Sequence, residues 1–222
     1  MKCASLEMNC EKKLSCYRYG KRVFDIFFSL LALWLSFPLF LGIALCIRLS
    51  SPGPILYSSM RIGRGGQVFK FWKFRTMYVD AEHKLTALLR DNPVLNEEWK
   101  TFFKLKNDPR LTPVGKILRK SSLDELPQFW NVLRGDLSVV GPRPFLPNET
   151  SEIKKIIGNK TDQLFSPQPG ITGIWQTSGR SNLSFEKRVL LDLHYTNKCS
   201  FMFDLKIIAK TIPMILFSKG AF

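Results

Sequence analysis

The sequence predicts an α+β chain, mostly helical, that begins with a helix-break-helix membrane anchor and carries amphipathic interfacial helices and a small β-hairpin. Three observations lead there. Ile26 to Ile47 carries no charge and holds Pro38 near its middle. Most later segments place Leu, Ile and Phe at the three-to-four residue spacing of a helix. Between them, VFKFWKFRTM follows a glycine-rich turn, the mark of paired strands.

At 222 residues the chain can bury the core of one ordinary domain, and its 45% hydrophobic and 13% aromatic content argues against disorder. The 33 Lys and Arg against 18 acids give a net charge of +15 and call for anionic partners: phosphorylated substrates, acidic headgroups or nucleic acid. No nucleic-acid motif accompanies the charge. Five cysteines are scattered with neither C-x-x-C nor zinc spacing, as expected of reduced thiols.

As one straight helix, Ile26 to Ile47 would measure about 33 Å, enough to cross a hydrocarbon core of roughly 30 Å. Pro38 removes a backbone hydrogen bond and crowds the turn before it, and Ser36 and Gly42 ease such a break. Lys21 and Arg22 precede the segment, and Arg48, Arg61 and Arg64 follow it. Both ends therefore carry the signature of the cytoplasmic side. Two readings stay open at this point: a re-entrant hairpin broken at Ser36 and Pro38, or a kinked helix that crosses. The boundaries that follow are a tail over 1–20, a re-entrant anchor over 21–49 and a cytosolic-face domain over 50–222.

After the SSPGP turn at Ser50, Tyr57 to Met77 reads as a hairpin around RIGRGG. Tyr78 to Leu105 has helical periodicity divided by Pro93. Ile117 to Trp130 resumes helix, Asn131 to Gly141 includes a short strand, and Gly158 to Pro169 reads as a loop. Ser184 to Tyr195 and Phe203 to Phe217 are further amphipathic helices.

SSLDELPQFWNVLRGDLSVVGPRP, from Ser121 to Pro144, sets two adjacent carboxylates, Asp124 and Glu125, at an expected helix start. Ser122 with Glu125 has the spacing of a capping box, a purely structural role. The same placement suits a nucleophile, because Arg119 and Lys120 favour an ionised Asp124, and a carboxylate can attack phosphorus to form an acyl phosphate. Consecutive helical residues diverge by about 100°, which argues for distinct roles in the pair.

KRVFDIFFSLL, SPGP, KFRTM, NDPRLTPVGKILRKSSLDELPQFWNVLRGDLSVVGPRP, PGITGIWQTSGR, LDLHY and DLKIIAKTI occur in this order. Together they resemble the bacterial sugar transferases, the monotopic phosphoglycosyl transferases that act on polyprenyl phosphate. The resemblance implies a catalytic dyad of Asp124 and Glu125, the same pair holding Mg2+ (or Mn2+). It also implies substrate binding by Lys73, Arg75, Arg119, Pro142, Arg143, Pro144 and Arg180, and a membrane break at Ser36 and Pro38. The implied partners are a UDP-sugar, polyprenyl (undecaprenyl) phosphate and the phospholipid bilayer, with no nucleic acid; whether the chain forms a homodimer stays open. The implied location is the cytoplasmic face of a bacterial inner membrane. Two departures stand out: Phe37 separates Ser36 from Pro38, and Ser58-Ser59 stands where relatives carry Arg-Gln. The competing reading is a non-enzymatic basic protein that binds membranes or nucleic acid.

Overall fold

The computed structural model describes residues 2–102, 105, 108–179 and 183–216. It opens with α1 (Lys2–Ser50), followed by strands β1 (Leu56–Ile62) and β2 (Val68–Phe74). Then come α2 (Ala81–Asp91), α3 (Pro93–Phe102), α4 (Pro113–Ser121), a 3-10 turn (Leu123–Glu125), α5 (Gln128–Arg134) and strand β3 (Ser138–Val140). The chain continues through α6 (Thr150–Ile157), α7 (Thr161–Leu164), β4 (Gly170–Thr172), α8 (Ile174–Thr177), α9 (Phe185–Lys198) and α10 (Phe201–Leu216). The mostly helical α+β expectation holds.

α1 does not stop at Pro38. The helix runs through it, so the interruption expected at Ser36 and Pro38 is absent. It is also continuous from residue 20 to residue 21, the expected boundary between tail and anchor. Tyr17–Ser50 is long and apolar enough to cross a membrane. Its middle exposes large apolar side chains: Trp34 keeps 72% of its surface and Leu35 63%. Leaving such a stripe in water is unfavourable by about 25 cal/mol per Å2, so it asks for an apolar surrounding.

Both arms of α1 nevertheless rest on the same body. On the first arm, Arg22 donates to the carbonyls of Val132 (2.5 Å) and Leu133 (2.7 Å), the last turn of α5. Asp25, wholly buried, accepts the Val139 N–H of β3 at 2.9 Å. Lys21 and Tyr17 donate to Asp204 of α10 at 2.6 and 2.9 Å. On the second arm, Ile43 and Ile47 form a buried cluster with Phe74 and Leu118, and Phe40 tilts against Phe74 at 4.5 Å.

β1 and β2 form the expected hairpin, antiparallel from Leu56 opposite Phe74 to Ile62 opposite Val68. Gly65 and Gly66 take positive φ (65° and 80°) in its turn, a conformation open to glycine. The outer edge of β2 is closed by Asn131: its Oδ1 accepts the Trp72 N–H and its Nδ2 donates to the Lys70 carbonyl. Asn131 thus acts as a short strand and fixes α5 against the hairpin. The second sheet joins β3 to β4 in parallel, with Ser138 opposite Gly170. β4 was not expected. Three residues between polar turns offer too little alternation to read.

Two further expectations give way. Ile117 to Trp130 is not one helix: α4 ends at Ser121, and α5 starts after Pro127, which cannot extend a preceding helix. The stretch from Gly158 to Pro169 contains a 3-10 turn and α7 rather than a plain loop, because Leu164 is drawn into the core beside Phe145, Ile153, Val189 and Leu193.

Replacing Arg22 with Ala leaves the α5 carbonyls without their charged donor, and each such bond contributes about 1.5–3 kcal/mol. Arg22→Ala is expected to lower unfolding stability in a detergent micelle by about 2–3 kcal/mol, while Lys154→Ala on the exposed face of α6 stays within about 0.5 kcal/mol. Denaturant titration of the three proteins checks this.

Candidate active site

The carboxylate pair lies in the 3-10 turn between α4 and α5, not at a helix start. Thr112 caps α4, its side chain accepting the Gly115 N–H. At the other end Ser122 takes the left-handed conformation (φ 58°) and closes α4 where glycine is usual. Its side chain makes no capping bond, so the expected Ser122–Glu125 capping box is absent. The physical reason is a stronger partner: the Glu125 carboxylate turns to Lys73.

Lys73 projects from β2 between the two acids. Its ammonium stands 2.7 Å from Glu125 Oε1 and 3.5 Å from Asp124 Oδ2. One cation thus spans the angular divergence of adjacent residues. Asp124 is buried, whereas the Glu125 side chain keeps 38% of its surface. Burial lifts the Asp124 carboxyl above the ordinary range, with Glu125 adding and Lys73 and Arg119 opposing. Burial also works to raise Glu125, but Lys73 outweighs it and holds that carboxyl below its ordinary value. Lys73 itself is lowered by burial and raised more by Glu125 and Asp124, for a net rise. Environments that push two neighbouring acids apart favour separate chemical roles.

Arg119 closes the other side. Gly115 lets α4 approach the chain after β2, since a Cβ there would run into the Thr76 carbonyl. The close approach sets Arg119 Nε 3.1 Å from Thr76 Oγ1 and within the field of Asp124. Lys73, Arg119, Asp124 and Glu125 are therefore brought together as expected. Among the described residues no group of three or more His, Cys, Asp or Glu side chains gathers for a metal. The two carboxylates can serve a hard cation that takes its remaining oxygens from water and a phosphorylated substrate.

Arg143 stands one step outward. Its two flanking prolines are buried, and three backbone groups of the segment are engaged. Gly170 N–H donates to the Pro142 carbonyl (2.8 Å), Arg61 to the Pro144 carbonyl (3.2 Å), and Arg143 N–H to Asp192 Oδ2 (2.9 Å). Pro142 and Pro144 thus aim the arginine, whose guanidinium lies 5.1 Å above the Trp175 ring and within the field of Glu125. Arg75 goes elsewhere: it is buried and donates to Pro52 and Ser51 carbonyls, locking the turn after α1. Arg180 lies outside the described residues.

Four participants were not singled out as site residues by sequence reasoning. Arg61 stacks 5.5 Å over Phe71, whose ring also carries the Lys73 ammonium at 5.6 Å. Burial, then Arg143, pushes the Arg61 guanidinium down to about 10. Arg188 sits 6.0 Å over the Trp175 ring already shared with Arg143. Asp192 is wholly buried, and burial lifts its carboxyl to about 7 against the opposing Arg143 N–H and the Arg143 and Arg188 charges. The four-residue spacing of Arg188 and Asp192 on one helix face was the available signal.

This geometry coincides with family membership. The chain belongs to the bacterial sugar transferase family, whose model matches residues 16–218. It is 43% identical over 203 residues to the exopolysaccharide production protein ExoY of Sinorhizobium fredii, covering 91% of this chain and 88% of that protein. It is 39% identical over 217 residues to the undecaprenyl-phosphate galactose phosphotransferase of Salmonella typhimurium, covering 98% of this chain but 44% of that protein. To the UDP-glucose:undecaprenyl-phosphate glucose-1-phosphate transferase of Escherichia coli it is 38% identical over 210 residues, covering 92% of this chain and 42% of that protein.

Because the folded Asp192 carboxyl titrates above its ordinary 3.8, the folded state holds a proton that the unfolded chain has released. Stability is therefore expected to fall as pH rises from about 4 to about 7, by on the order of 4 kcal/mol, and to level off above that. Asp192→Asn keeps an acceptor for the Arg143 N–H and removes this slope. Denaturant midpoints across pH 4 to pH 8 check the difference between the two proteins.

Proposed function

We propose that this protein transfers a sugar-1-phosphate from a UDP-sugar to undecaprenyl phosphate at the cytoplasmic face of a bacterial inner membrane, initiating polysaccharide assembly. The observation that carries the reading is Asp124: a buried carboxylate, raised by its burial, held between Lys73 and Arg119 and beside a second carboxylate that stays ionised. Relatives whose names state UDP-sugar and undecaprenyl-phosphate substrates support the choice of substrates.

In the first step an Asp124 carboxylate oxygen attacks the phosphorus that bears the sugar. The bond from that phosphorus to the bridging oxygen breaks, and UMP leaves with the electron pair, so Asp124 carries the phosphosugar as an acyl phosphate. In the second step an oxygen of the lipid phosphate attacks the same phosphorus and expels the Asp124 carboxylate, giving the polyprenyl diphosphate sugar. Neither step needs a net proton. A raised carboxyl value makes Asp124 the more basic and better nucleophile of the pair. Lys73 and Arg119 offset repulsion between attacking and attacked anions, and Arg143 is placed to hold a neighbouring phosphate oxygen. Asp124 and Glu125 would hold Mg2+ together with diphosphate oxygens, and the ion would supply further neutralisation of charge there.

The anchor reading is a helix that bends without breaking, so that it dips into one leaflet and returns: both arms of α1 dock on one body, and the exposed apolar stretch lies between them. The flanking cations Lys21, Arg22 and Arg48 then all stay on the cytoplasmic side. Surface cations add about 1 kcal/mol each toward acidic lipid, which accounts for part of the basic excess.

Asp124→Asn is expected to reduce UMP release from the UDP-sugar by about a thousandfold or more while membrane association persists. Survival of UMP release at wild-type rate would overturn Asp124 as the nucleophile, and no UMP release from the wild type itself would favour the non-enzymatic reading. In the wild type, the acid limb of kcat/KM should lie above the ordinary aspartate range. Lys73→Met removes a lowering influence on Asp124, so whatever activity it keeps should show that limb at still higher pH.

A further inference from the structure

Trp175 of α8 carries two guanidiniums on one ring, Arg143 at 5.1 Å and Arg188 at 6.0 Å. An aromatic face attracts one such cation by about 0.5–2 kcal/mol, but a second cation there meets the charge of the first. The acids nearby, Glu149 and Asp192, offset part of this charge but accept no hydrogen bond from either guanidinium among the described residues. Glu149 is committed to the Leu146 N–H at 2.6 Å, and Asp192 offers Oδ2 to the Arg143 backbone, not to either guanidinium. Buried donors are left over: among the described residues Arg143 Nε, Arg188 Nε and Trp175 Nε1 have no hydrogen-bond partner, nor has the acceptor Asp192 Oδ1. Leaving a buried donor unmade is costly, most of all a charged one, and here two guanidinium donors and the indole N–H meet at one ring. Arg61, itself within the field of Arg143, extends the positive charge back toward Lys73. The arrangement is incomplete without an anion.

We propose that Arg188 and Arg143, with Trp175 as their shared platform, form a second anion subsite that binds a phosphoryl group beside the one attacked by Asp124. Asp192 is its positioning residue. By accepting the Arg143 N–H from within α9, it ties the Pro142–Pro144 segment to the helix that presents Arg188. Guanidinium forks match phosphate oxygens in pairs, and two of them suit the several terminal oxygens of a phosphate monoester or diphosphate. The two candidate sources are the nucleotide diphosphate of the sugar donor and the phosphate of the lipid acceptor. The assignment of a source rests on the transferase reading above; the existence of the subsite does not.

The test uses the full chain in lipid nanodiscs, comparing wild type, Arg188→Gln and Arg188→Lys. Two KM values are measured, for the UDP-sugar at saturating polyprenyl phosphate and for the lipid at saturating UDP-sugar. Separately, inorganic diphosphate is titrated calorimetrically into each protein. Arg188→Gln is expected to raise one KM and weaken diphosphate binding by about tenfold or more, with a smaller change in kcat. Arg188→Lys should recover part of the loss, since it restores charge without the fork. A rise in the UDP-sugar KM assigns the subsite to the nucleotide, and a rise in the lipid KM assigns it to the acceptor. Unchanged KM values with unchanged diphosphate binding overturn the proposal. If the wild type transfers nothing, the transferase reading fails, and the diphosphate titration alone decides the subsite. Should Arg188→Gln lose its thermal unfolding transition, Arg188→Lys decides: a diphosphate affinity equal to wild type overturns the subsite.

Discussion

The constraint on which the structure depends is the double attachment of α1. A helix that exposes Trp34 and Leu35 belongs in an apolar medium, while the side chains that tie it down are charged and belong to the body. Arg22, Asp25, Lys21 and Tyr17 lash the first arm through five hydrogen bonds to α5, β3 and α10. Ile43 and Ile47 pin the second arm by packing alone. Two anchor contacts are immediate chain neighbours of the site. Phe74 packs against Phe40 and follows Lys73; Leu118 packs against Ile47 and precedes Arg119. The anchor contacts and the side chains around the carboxylate pair are thus one residue apart on each of two elements. A phosphate at a membrane surface and a diphosphate from solution would meet at such a place.

Charge in this chain is concentrated where it can act. A surplus of +15 is a general attraction to anions, but the site distributes it in two groups. Lys73 and Arg119 flank Asp124, and Arg61, Arg143 and Arg188 stand beyond Glu125. The acids that share this region have separate duties. Glu125 stays ionised against Lys73, Asp124 is held less readily ionised by its burial, and Asp192 supports backbone. Asp204, by contrast, takes Lys21, Tyr17 and Tyr195 into one buried knot that joins α1 to α10. Its role is structural.

Much of this was legible from residues alone. Periodicity found α2, α3, α9 and α10, and the glycine-rich turn found the β-hairpin. The LDE motif found the acids that converge on Lys73, and GPRP found the arginine within the field of Glu125. What stayed hidden depended on contacts distant in sequence. No spacing rule says that Ser122 takes a left-handed conformation to end α4, or that Glu125 abandons a cap for a lysine 52 residues earlier. Arg75 looked like a phosphate ligand because it lies in KFRTM beside Lys73. β2 ends at Phe74, so the strand no longer keeps Arg75 on the face of Lys73, and Arg75 holds the turn at Ser51 and Pro52 instead. Pro38 looked like a helix breaker, yet the flanking apolar residues sustain the helix through it. Local propensity yields there to the helix on either side.

The central claim is that Asp124 becomes covalently bound to a phosphosugar. The most direct measurement is intact-protein and peptide mass spectrometry after rapid acid quench of the protein with a UDP-sugar and Mg2+, in the absence of lipid acceptor. The account predicts a mass increase of one sugar phosphate, mapped to the peptide that contains Asp124, and its disappearance when polyprenyl phosphate is added. Stoichiometric UMP release with no adduct on that peptide, or an adduct on any other side chain, would contradict it.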